Sequence, residues 1–470
     1  MSETDSHDIG RRDFLRRTGQ AAAIAGVGAM LAREAAAARK RVEPADPHAP
    51  KTGSLLKEGE TIGLGIVGVG GMGGSHLGEL LDMETKGANI QVRAVSDVYM
   101  RRKRQAVERV AEQAKRNIEA YTNYRELIER DDIHGIVVAT PDHWHAQITL
   151  DALDAGKDVY CQKPVTLYTE EAIEVRDRVL ATGRVFQCGA QFCSDDWWWQ
   201  ARDFIKKGGI GEVIWAQADY SRNSGTPENP QGGEWNYTIH DEATDNPAGG
   251  DHYIDWPQWL GPAKKRPFSK ARYFQFRKYW DYSGGIASDL LYHYVAPLTL
   301  ALDAKAPERA TAAGGIFVQH DDREVPDTLM MNLDYPDDYT IVLTSSMANS
   351  QGNPVIIRGH RATIRPKDGG IQVTPERNFV EWFKKEFGTD DLFIAGQPRM
   401  GHMENWLHCM RTREKCHLDA ETAYRAEAAI RMGCDSYIKD EVIYWDNAKE
   451  RYVRKHPRPN RLSKVPAIKS

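Results

Sequence analysis

Residues 61–75 read Thr-Ile-Gly-Leu-Gly-Ile-Val-Gly-Val-Gly-Gly-Met-Gly-Gly-Ser, and they set the fold of what surrounds them. An apolar run of strand length leads into a G-x-G-x-x-G pattern, and a helical pattern follows from about Ser75. In such a loop the first glycine permits a tight turn, the second lets the backbone approach a pyrophosphate, and the third lets helix and strand pack closely. The helix N-terminus offers free N–H groups to the phosphates. The pattern predicts a dinucleotide site at Gly68, Gly70, Gly71, Met72 and Gly73.

A second apolar run, residues 90–96, ends at Asp97, which lies 24 residues after Gly73. This is close to the spacing of the acid that accepts hydrogen bonds from the adenosine ribose hydroxyls. A carboxylate repels a 2′-phosphate, so Asp97 favours NAD over NADP. Arg101 and Arg102 follow directly and could hold that phosphate, although the more common reason for such a pair is a solvated helix start.

Strand and helix patterns alternate through the next segment. We predict helices over 121–130 and 143–156 and strands over 134–140 and 158–161. Such alternation predicts a doubly wound parallel sheet. Ligands bind such sheets beyond the carboxyl ends of the strands, where Thr140-Pro141 and Gln162-Lys163-Pro164 fall.

Composition narrows the class of protein. The chain has 470 residues, a net charge of −5 and a pI near 6.3, so it has no basic field that would attract nucleic acid. Its six cysteines form no C-x-x-C pair, which argues against a metal site or a disulfide framework and favours buried free thiols.

The N-terminus has the pattern of a targeting segment. Arg11-Arg12-Asp13-Phe14-Leu15 is followed by a weakly apolar stretch over 21–32 and small residues at 35–37. We predict a twin-arginine signal over 1–37, a flexible linker over 38–60 and export to the periplasm, with a basic disordered tail as the alternative. The apolar stretch is too short for a membrane span, and we expect no stable membrane anchor. This route carries folded proteins, so the cofactor would be bound tightly before export.

Three motifs together resemble the glucose–fructose oxidoreductase / inositol dehydrogenase / MocA family: the glycine loop, Thr140-Pro141-x-x-x-His145, and Lys163-Pro164. The resemblance runs from Thr61 to about Val453. It implies a Rossmann domain over 61–187 and a second α/β domain over 188–453, whose open, largely antiparallel sheet binds substrate and forms a homo-oligomer. A basic arm over 454–470 follows, which could grip a neighbouring subunit. The resemblance further implies cofactor contacts from Thr140, Pro141, His145, Gln162 and Lys163, and a sugar or cyclitol substrate.

The same resemblance implies the catalytic residues. Gln162-Lys163-Pro164 corresponds to the family's Glu-Lys-Pro motif, which makes Lys163 catalytic, with glutamine in place of glutamate. Asp289 and His293 follow a glycine-rich turn and match the family's Asp/His signature. On a helix, a spacing of four puts them on one face. We expect Asp289 to orient His293 and raise its pKa, so that His293 acts as the general base.

An aromatic stretch over 221–285, with little regular pattern, predicts a binding loop or lid. Flat rings suit the C–H faces of sugars, but at least half of these rings are expected in the core or an interface. Four residues are weaker candidates for substrate contact: Trp256, Tyr282, His402 and Asn405. Beyond this stretch, short alternating segments over 312–318, 328–335, 340–346, 355–358 and 371–374 predict an antiparallel sheet, and 403–411 and 420–439 predict helices.

Three functions remain open from the sequence. The leading one is an exported NAD(P)-dependent oxidoreductase that moves hydride between a sugar carbon and nicotinamide. The second is a glycoside hydrolase that uses a retained NAD in transient oxidation and elimination. The third is a non-catalytic sugar- or cofactor-binding protein, against which intact Lys163, Asp289 and His293 argue.

Overall fold

The computed structural model describes residues 56–226 and 236–458. The expected signal over 1–37, most of the linker and the arm beyond residue 458 lie outside the described residues. At the start of the expected basic arm, Arg458 pairs with Glu308 of its own chain at 2.6 Å.

The first domain is a parallel sheet with helices on both faces. Its six strands have the order β3-β2-β1-β4-β5-β6, as predicted for a doubly wound fold. The strands are β1 (Ile62–Val67), β2 (Ile90–Ser96), β3 (Glu119–Tyr121), β4 (Gly135–Val138), β5 (Asp158–Gln162) and β6 (Phe186–Gly189). The helices are α1 (Gly71–Thr85), α2 (Met100–Ala114), α3 (Tyr124–Ile128), α4 (Asp142–Asp154) and α5 (Thr169–Thr182).

The second domain is a ten-stranded sheet in the order β14-β13-β12-β11-β7-β10-β9-β8-β15-β16. Its pairs are antiparallel except β7 with β10, so the expected largely antiparallel sheet is confirmed. Its strands are β7 (Val213–Asp219), β8 (Arg309–Gly315), β9 (Thr328–Asp334), β10 (Thr340–Ser346), β11 (Ile356–Gly359), β12 (Ala362–Lys367), β13 (Gly370–Pro375), β14 (Leu392–Ala395), β15 (Ile443–Asp446) and β16 (Arg451–Val453).

Seven helices in the described residues follow the first domain in the chain. They are α6 (Asp196–Lys206), α7 (Trp256–Leu260), α8 (Lys270–Phe274), α9 (Tyr292–Leu302), α10 (Val380–Phe387), α11 (His402–Thr412) and α12 (Ala420–Lys439). A π-helical turn over Ala287–Leu291 precedes α9. Such turns insert one extra residue into a helix and often occur at functional sites.

Helix α11 belongs by sequence to the second half of the chain but packs on the first sheet. Trp406 and Met410 share a buried cluster with apolar side chains of β1 and β2. They press against β4 at Gly135, where an added Cβ would lie 2.8 Å from Met410 and 2.9 Å from Trp406. The first domain therefore completes its core with a helix that is remote in sequence.

Two sequence-based expectations about elements need correction. The helix expected over 121–130 is a short turn, α3, because β3 takes Tyr121 and the loop after it forms the Asn123 cap. The aromatic segment, residues 236–282, is not an open loop: its rings form a compact buried cluster around Trp259 and Tyr273.

All six cysteines are buried free thiols, as the sequence predicted. No helix within 56–226 and 236–458 is long and apolar enough to cross a bilayer.

Candidate active site

The glycine loop has the shape that a pyrophosphate requires. Gly68 has φ +84°, in the left-handed region, and α1 begins directly after Gly70. A Cβ added to Gly73 would lie 1.8 Å from the carbonyl oxygen of Gly68, so helix and strand approach as closely as the motif predicts. A Cβ on Gly71 would meet nothing within 4 Å. The first amides of α1 therefore face open space, and the loop fits a dinucleotide.

Asp97 holds the loop in place. Its two carboxylate oxygens each accept a backbone N–H, one from Val69 and one from Tyr99, both at 2.9 Å. Each oxygen keeps a further lone pair, so hydrogen bonds from ribose hydroxyls remain possible. The predicted ribose-binding acid is thus also the residue that ties β2 to the glycine loop.

The two arginines after Asp97 do not form a solvated helix start. Arg101 pairs with Glu242 at 2.8 Å. Arg102 donates to the hydroxyl of Tyr273 at 3.1 Å, and its guanidinium would lie 3.0 Å from a Cβ on Gly70. Arg102 therefore lies directly beside the glycine loop.

The aromatic segment covers this end of the loop. The amide of Met100 donates to the carbonyl of Tyr253 at 3.0 Å, and the amide of Asp255 donates to the carbonyl of Val98 at 2.9 Å. Tyr99 and Ile254 form a β-bridge. The segment predicted as a lid is therefore bonded to the strand end where the adenosine half of a dinucleotide would lie.

At the carboxyl edge, Thr140 has a buried hydroxyl without a hydrogen-bond partner in the described part of the chain. Pro141 caps α4 next to it. An orphaned buried donor is costly, and a bound ligand would satisfy it. This suits the predicted contact between Thr140 and the cofactor.

His145 needs a corrected role. Its Nδ1 lies 2.6 Å from the carbonyl oxygen of Pro164 and its Nε2 lies 2.8 Å from that of Thr140. Two carbonyl acceptors require two N–H donors, so the ring is an imidazolium. Burial disfavours that charge, but Cys161, Asp142 and the carbonyl of Pro164 outweigh it and raise the pKa to about 9. With both nitrogens occupied, His145 fixes the ends of β4 and β5 rather than contacting a cofactor.

Lys163 and Asp289 meet across the domain junction. The Nζ of Lys163 donates to the backbone oxygen of Asp289 at 2.7 Å and to its Oδ1 at 2.6 Å. The Nε of Arg277 lies 3.0 Å from the same Oδ1. Burial alone would raise the pKa of Asp289, but the two cations hold it well below its usual range. The structure thus brings together two of the three predicted catalytic residues and adds Arg277.

Arg277 was missed because it lies in the aromatic segment, 12 residues before Asp289, with no motif around it. Its guanidinium lies over the ring of Phe276, 4.5 Å from the centroid. An arginine–lysine pair between aromatic residues carries no sequence signal for the site that the arginine reaches.

His293 lies beside Lys163, but the expected rise in its pKa is wrong. Burial, reinforced by the charge of Lys163, lowers the pKa of His293 to about 3. Asp289 cannot reverse this because its carboxylate is already shared by two cations. The Nδ1 of His293 is buried and has no hydrogen-bond partner among the described residues. The rings of Phe192 and Tyr220 flank the His293 ring, with 5.3 and 5.8 Å between centroids respectively. His293 is therefore a neutral imidazole with an unused nitrogen.

The two aromatic candidates for substrate contact are packing residues. Trp256 is buried, stacks on Trp259 at 4.7 Å and donates to the carbonyl of Arg266 at 2.8 Å. Tyr282 is fully buried, with its ring against Trp259 and His143. Their faces are occupied by the chain itself, which corrects the sequence-based assignment.

His402 and Asn405 also serve the chain. His402 is buried, donates from Nε2 to the carbonyl of Cys188 at 2.8 Å and has Nδ1 2.7 Å from the Ser194 hydroxyl. Asn405 accepts the backbone N–H of His417 at 2.8 Å. Both hold the start of α11 against its neighbours, and their contact with substrate stays a prediction.

No group of three or more His, Cys, Asp or Glu side chains suited to a metal ion occurs in the described ranges 56–226 and 236–458.

A second domain that delivers charged side chains to the cofactor edge of a dinucleotide-binding sheet is the architecture of nicotinamide-dependent oxidoreductases. The match to known families agrees with it. The model described as "Oxidoreductase family, NAD-binding Rossmann fold" matches residues 62–190, and the model described as "Oxidoreductase family, C-terminal alpha/beta domain" matches residues 228–469. The chain belongs to the GFO/IDH/MocA oxidoreductase family, which confirms the resemblance.

Among curated proteins, the chain is similar to an alpha-N-acetylgalactosaminidase from Shewanella oneidensis, 28% identical over 221 residues. It is also similar to a glycosyl hydrolase family 109 protein from Shewanella baltica, 26% identical over 222 residues. In both cases the matched region is 46% of this chain and 46% of the relative. The chain thus spans about half the length of these relatives.

Among solved structures, a levoglucosan dehydrogenase in complex with NADH and L-sorbose matches 82% of this chain and 99% of its own, with a TM-score of 0.59 and 15% identity. An oxidoreductase domain protein from Kribbella flavida matches 84% of this chain and 100% of its own, with a TM-score of 0.60 and 16% identity. At these identities the likeness shows the shared fold.

Proposed function

We propose that this protein is an NAD-dependent oxidoreductase that acts on a secondary hydroxyl or carbonyl group of a sugar. The observation that carries the proposal is the nearness of Lys163 and His293 at the carboxyl edge of the dinucleotide-binding sheet, where the charge of Lys163 lowers the pKa of His293. Lys163 is a buried hydrogen-bond donor that is held in place, and His293 is a buried neutral base with an unused nitrogen. A donor and an acceptor side by side are what the interconversion of an alcohol and a carbonyl requires.

Each side chain has a separate part in sugar oxidation. When bound, NAD supplies the hydride acceptor. Lys163 donates a hydrogen bond to the substrate oxygen and stabilises the negative charge that develops there. The neutral imidazole of His293 accepts a hydrogen bond from the hydroxyl and takes its proton as the hydride leaves, when the forming carbonyl makes that proton acidic enough for a base of lowered pKa. Asp289 and Arg277 hold the ammonium of Lys163 in position, so Asp289 serves the lysine rather than the histidine.

Replacing Lys163 with Met tests the assignment. We expect Lys163→Met to lose turnover by at least about a hundredfold, the usual contribution of a positioned proton or charge partner. Its NADH dissociation constant, followed by fluorescence, should stay within about threefold of wild type, because the glycine loop is untouched. Lys264→Met, which changes a lysine in the aromatic segment, is the control. Unchanged turnover in Lys163→Met would sink the assignment.

A second candidate is glycoside hydrolysis through transient oxidation, with the cofactor regenerated within each cycle. The names of the curated relatives favour it, as does the aromatic segment bonded over the adenosine end of the loop, which would slow cofactor exchange. The two candidates separate in one screen of free sugars and aryl glycosides, with and without added NAD. Release of the aglycone without net NADH formation supports the hydrolase, and stoichiometric NADH formation supports the dehydrogenase.

We infer that the cofactor is tightly bound NAD, with NADP as the alternative that Arg102 would permit. Protein that is freshly purified without added nucleotide should release nicotinamide dinucleotide on denaturation, and chromatography against NAD and NADP standards identifies it. The export that we propose from the twin-arginine pattern is checked by locating the full chain in cell fractions.

We further propose a homo-oligomer that pairs through the outer face of the ten-stranded sheet. Met330 on β9 is 44% exposed there, and Trp215 and Val342 on neighbouring strands are only partly covered. Large apolar side chains left partly uncovered on an otherwise polar sheet face can be covered by a partner subunit. Light scattering of the purified protein measures the mass.

A further inference from the structure

A buried histidine on the dinucleotide-binding helix reaches the strand end that carries Lys163. His76 lies on the second turn of α1 and is 3% exposed. Its ring packs edge-on against Tyr160 of β5, with 5.2 Å between centroids. Its Nε2 meets the side-chain amide of Gln162 in a short hydrogen bond. Two elements that meet the cofactor at different points are thereby joined.

The orientation of the Gln162 amide decides which atom donates. The backbone N–H of Lys163 donates to the Gln162 Oε1 at 3.3 Å, so the Nε2 of Gln162 points towards His76. An amide NH₂ group can only donate, and therefore the Nε2 of His76 is an unprotonated acceptor. The ring proton is on Nδ1, which lies 3.4 Å from the Glu79 Oε2. The hydrogen bonds run from Glu79 through His76 and Gln162 to the backbone of Lys163.

The strand beside Gln162 leaves room for this side chain. A Cβ on Gly189 of β6 would lie 2.9 Å from the Gln162 Nε2 and 3.0 Å from its Cδ. The absence of a side chain at Gly189 therefore lets the amide lie flat against β6. The glutamine is packed into its position as well as hydrogen-bonded.

We propose that His76 and Gln162 are positioning residues that link α1 to Lys163, so that the helix whose N-terminus would hold the dinucleotide also fixes the orientation of Lys163. The proposal rests on the proposed function for the role of Lys163. His76 lies one turn after the glycine loop, and Gln162 is buried and packed against Gly189, so a shift of α1 moves Gln162 and with it the backbone of Lys163.

The linkage also explains glutamine at position 162. A glutamate there could accept from His76 only through a proton on Nε2, which would either take the ring proton away from the side that faces Glu79 or charge the buried ring. It would also add a carboxylate next to Lys163. The glutamine keeps the histidine neutral and leaves Asp289 as the partner of the lysine.

Kinetics of His76 variants test the linkage. In His76→Ala we expect kcat to fall about tenfold or more while the NADH dissociation constant changes less than threefold, because the phosphate-binding amides remain. His76→Gln offers an amide oxygen to the same donor and should restore most of kcat. His408→Ala, an exposed histidine on α11, is the control. Full kcat in His76→Ala, or no rescue by a folded His76→Gln, overturns the proposal.

The tautomer of His76 gives a second readout that needs no turnover. In protein labelled with ¹⁵N-histidine, the His76 signals, assigned by their loss in His76→Gln, should report a neutral ring with its proton on Nδ1. Gln162→Glu should move that proton to Nε2 or charge the ring. A wild-type ring with its proton on Nε2 contradicts the linkage. Should no sugar be turned over by the wild type, the proposed function fails, while this measurement still decides the linkage.

Discussion

At the scale of single residues, Asp289 supplies the negative charge that balances the cations of the candidate site. It is 7% exposed and faces Lys163 and Arg277 through one carboxylate oxygen. Removing one member of a buried ion pair leaves an uncompensated charge, which costs about 3–5 kcal/mol. Here one anion balances two cations, so the loss of Asp289 would leave the charges of both Lys163 and Arg277 unbalanced.

Asp289→Asn should therefore destabilise the protein by about 3–5 kcal/mol and lower turnover, because the amide cannot neutralise Lys163 and Arg277. Urea unfolding measures the free energy, and the same preparations give kcat. The control is Asp281→Asn. Asp281 pairs with Arg266 and is more exposed than Asp289, so its loss should cost about 1 kcal/mol or less and leave the fold intact for comparison. Equal unfolding midpoints for wild type and Asp289→Asn would contradict this account.

The positions of site residues in the fold were predictable where a local spacing defines them. Gly68, Gly73 and Lys163 stand in short motifs, and the structure places them at the carboxyl edge of one sheet. The roles of Arg277 and His145 depend on which groups the fold brings near them. No spacing in the sequence shows that two carbonyl oxygens meet one imidazole, or that an arginine from the aromatic segment reaches Asp289.

The glycine loop and α1 form one element, and its tolerance of an added side chain differs sharply between neighbouring positions. Gly73→Ala would force a Cβ to within 1.8 Å of a backbone oxygen, which no side-chain rotation relieves. We expect this variant to lose NADH affinity by tenfold or more and to unfold at lower urea. Gly71→Ala, whose Cβ meets nothing within 4 Å, is the matched control and should keep its stability. Similar unfolding midpoints for the two variants would refute the packing argument.

Helices and strands whose buried residues recur at a regular spacing were predicted well, and short or irregular elements were not. Strand β10 was predicted over its observed range because its buried residues alternate. Strands β12 and β14 escaped notice because charged or exposed residues interrupt their patterns. The aromatic segment has no repeat at all, so its packing as a cluster around Trp259 could be seen only in three dimensions.

At the scale of the whole molecule, buried histidines make the stability of the folded chain depend on pH. Burial lowers the pKa of four of them. It falls to about 3 in His293 and to about 4 in His143, His402 and His417. The unfolded chain takes up these protons near pH 6.5, while the folded chain does not. Stability should therefore fall as the pH drops below about 6.5, by up to about 1.4 kcal/mol per pH unit for each histidine.

His145 acts in the opposite direction. Its pKa is raised to about 9, so its contribution to stability is complete below about pH 6.5 and is lost as the pH rises through 9. Unfolding free energies from urea titrations between pH 4.5 and 9.5 should pass through a maximum near neutrality. A flat profile below pH 6.5 would show that the four rings are not held neutral.

The position of α11 has a consequence for synthesis of the chain. As the ribosome releases residues 56–190, the strands of the first sheet can pair, but the face that takes Trp406 and Met410 has nothing to cover it. That apolar surface stays exposed until more than two hundred further residues have emerged, a period in which nascent chains are prone to aggregate. A gene fragment that ends after β6 should yield insoluble protein, although it encodes every strand of the sheet.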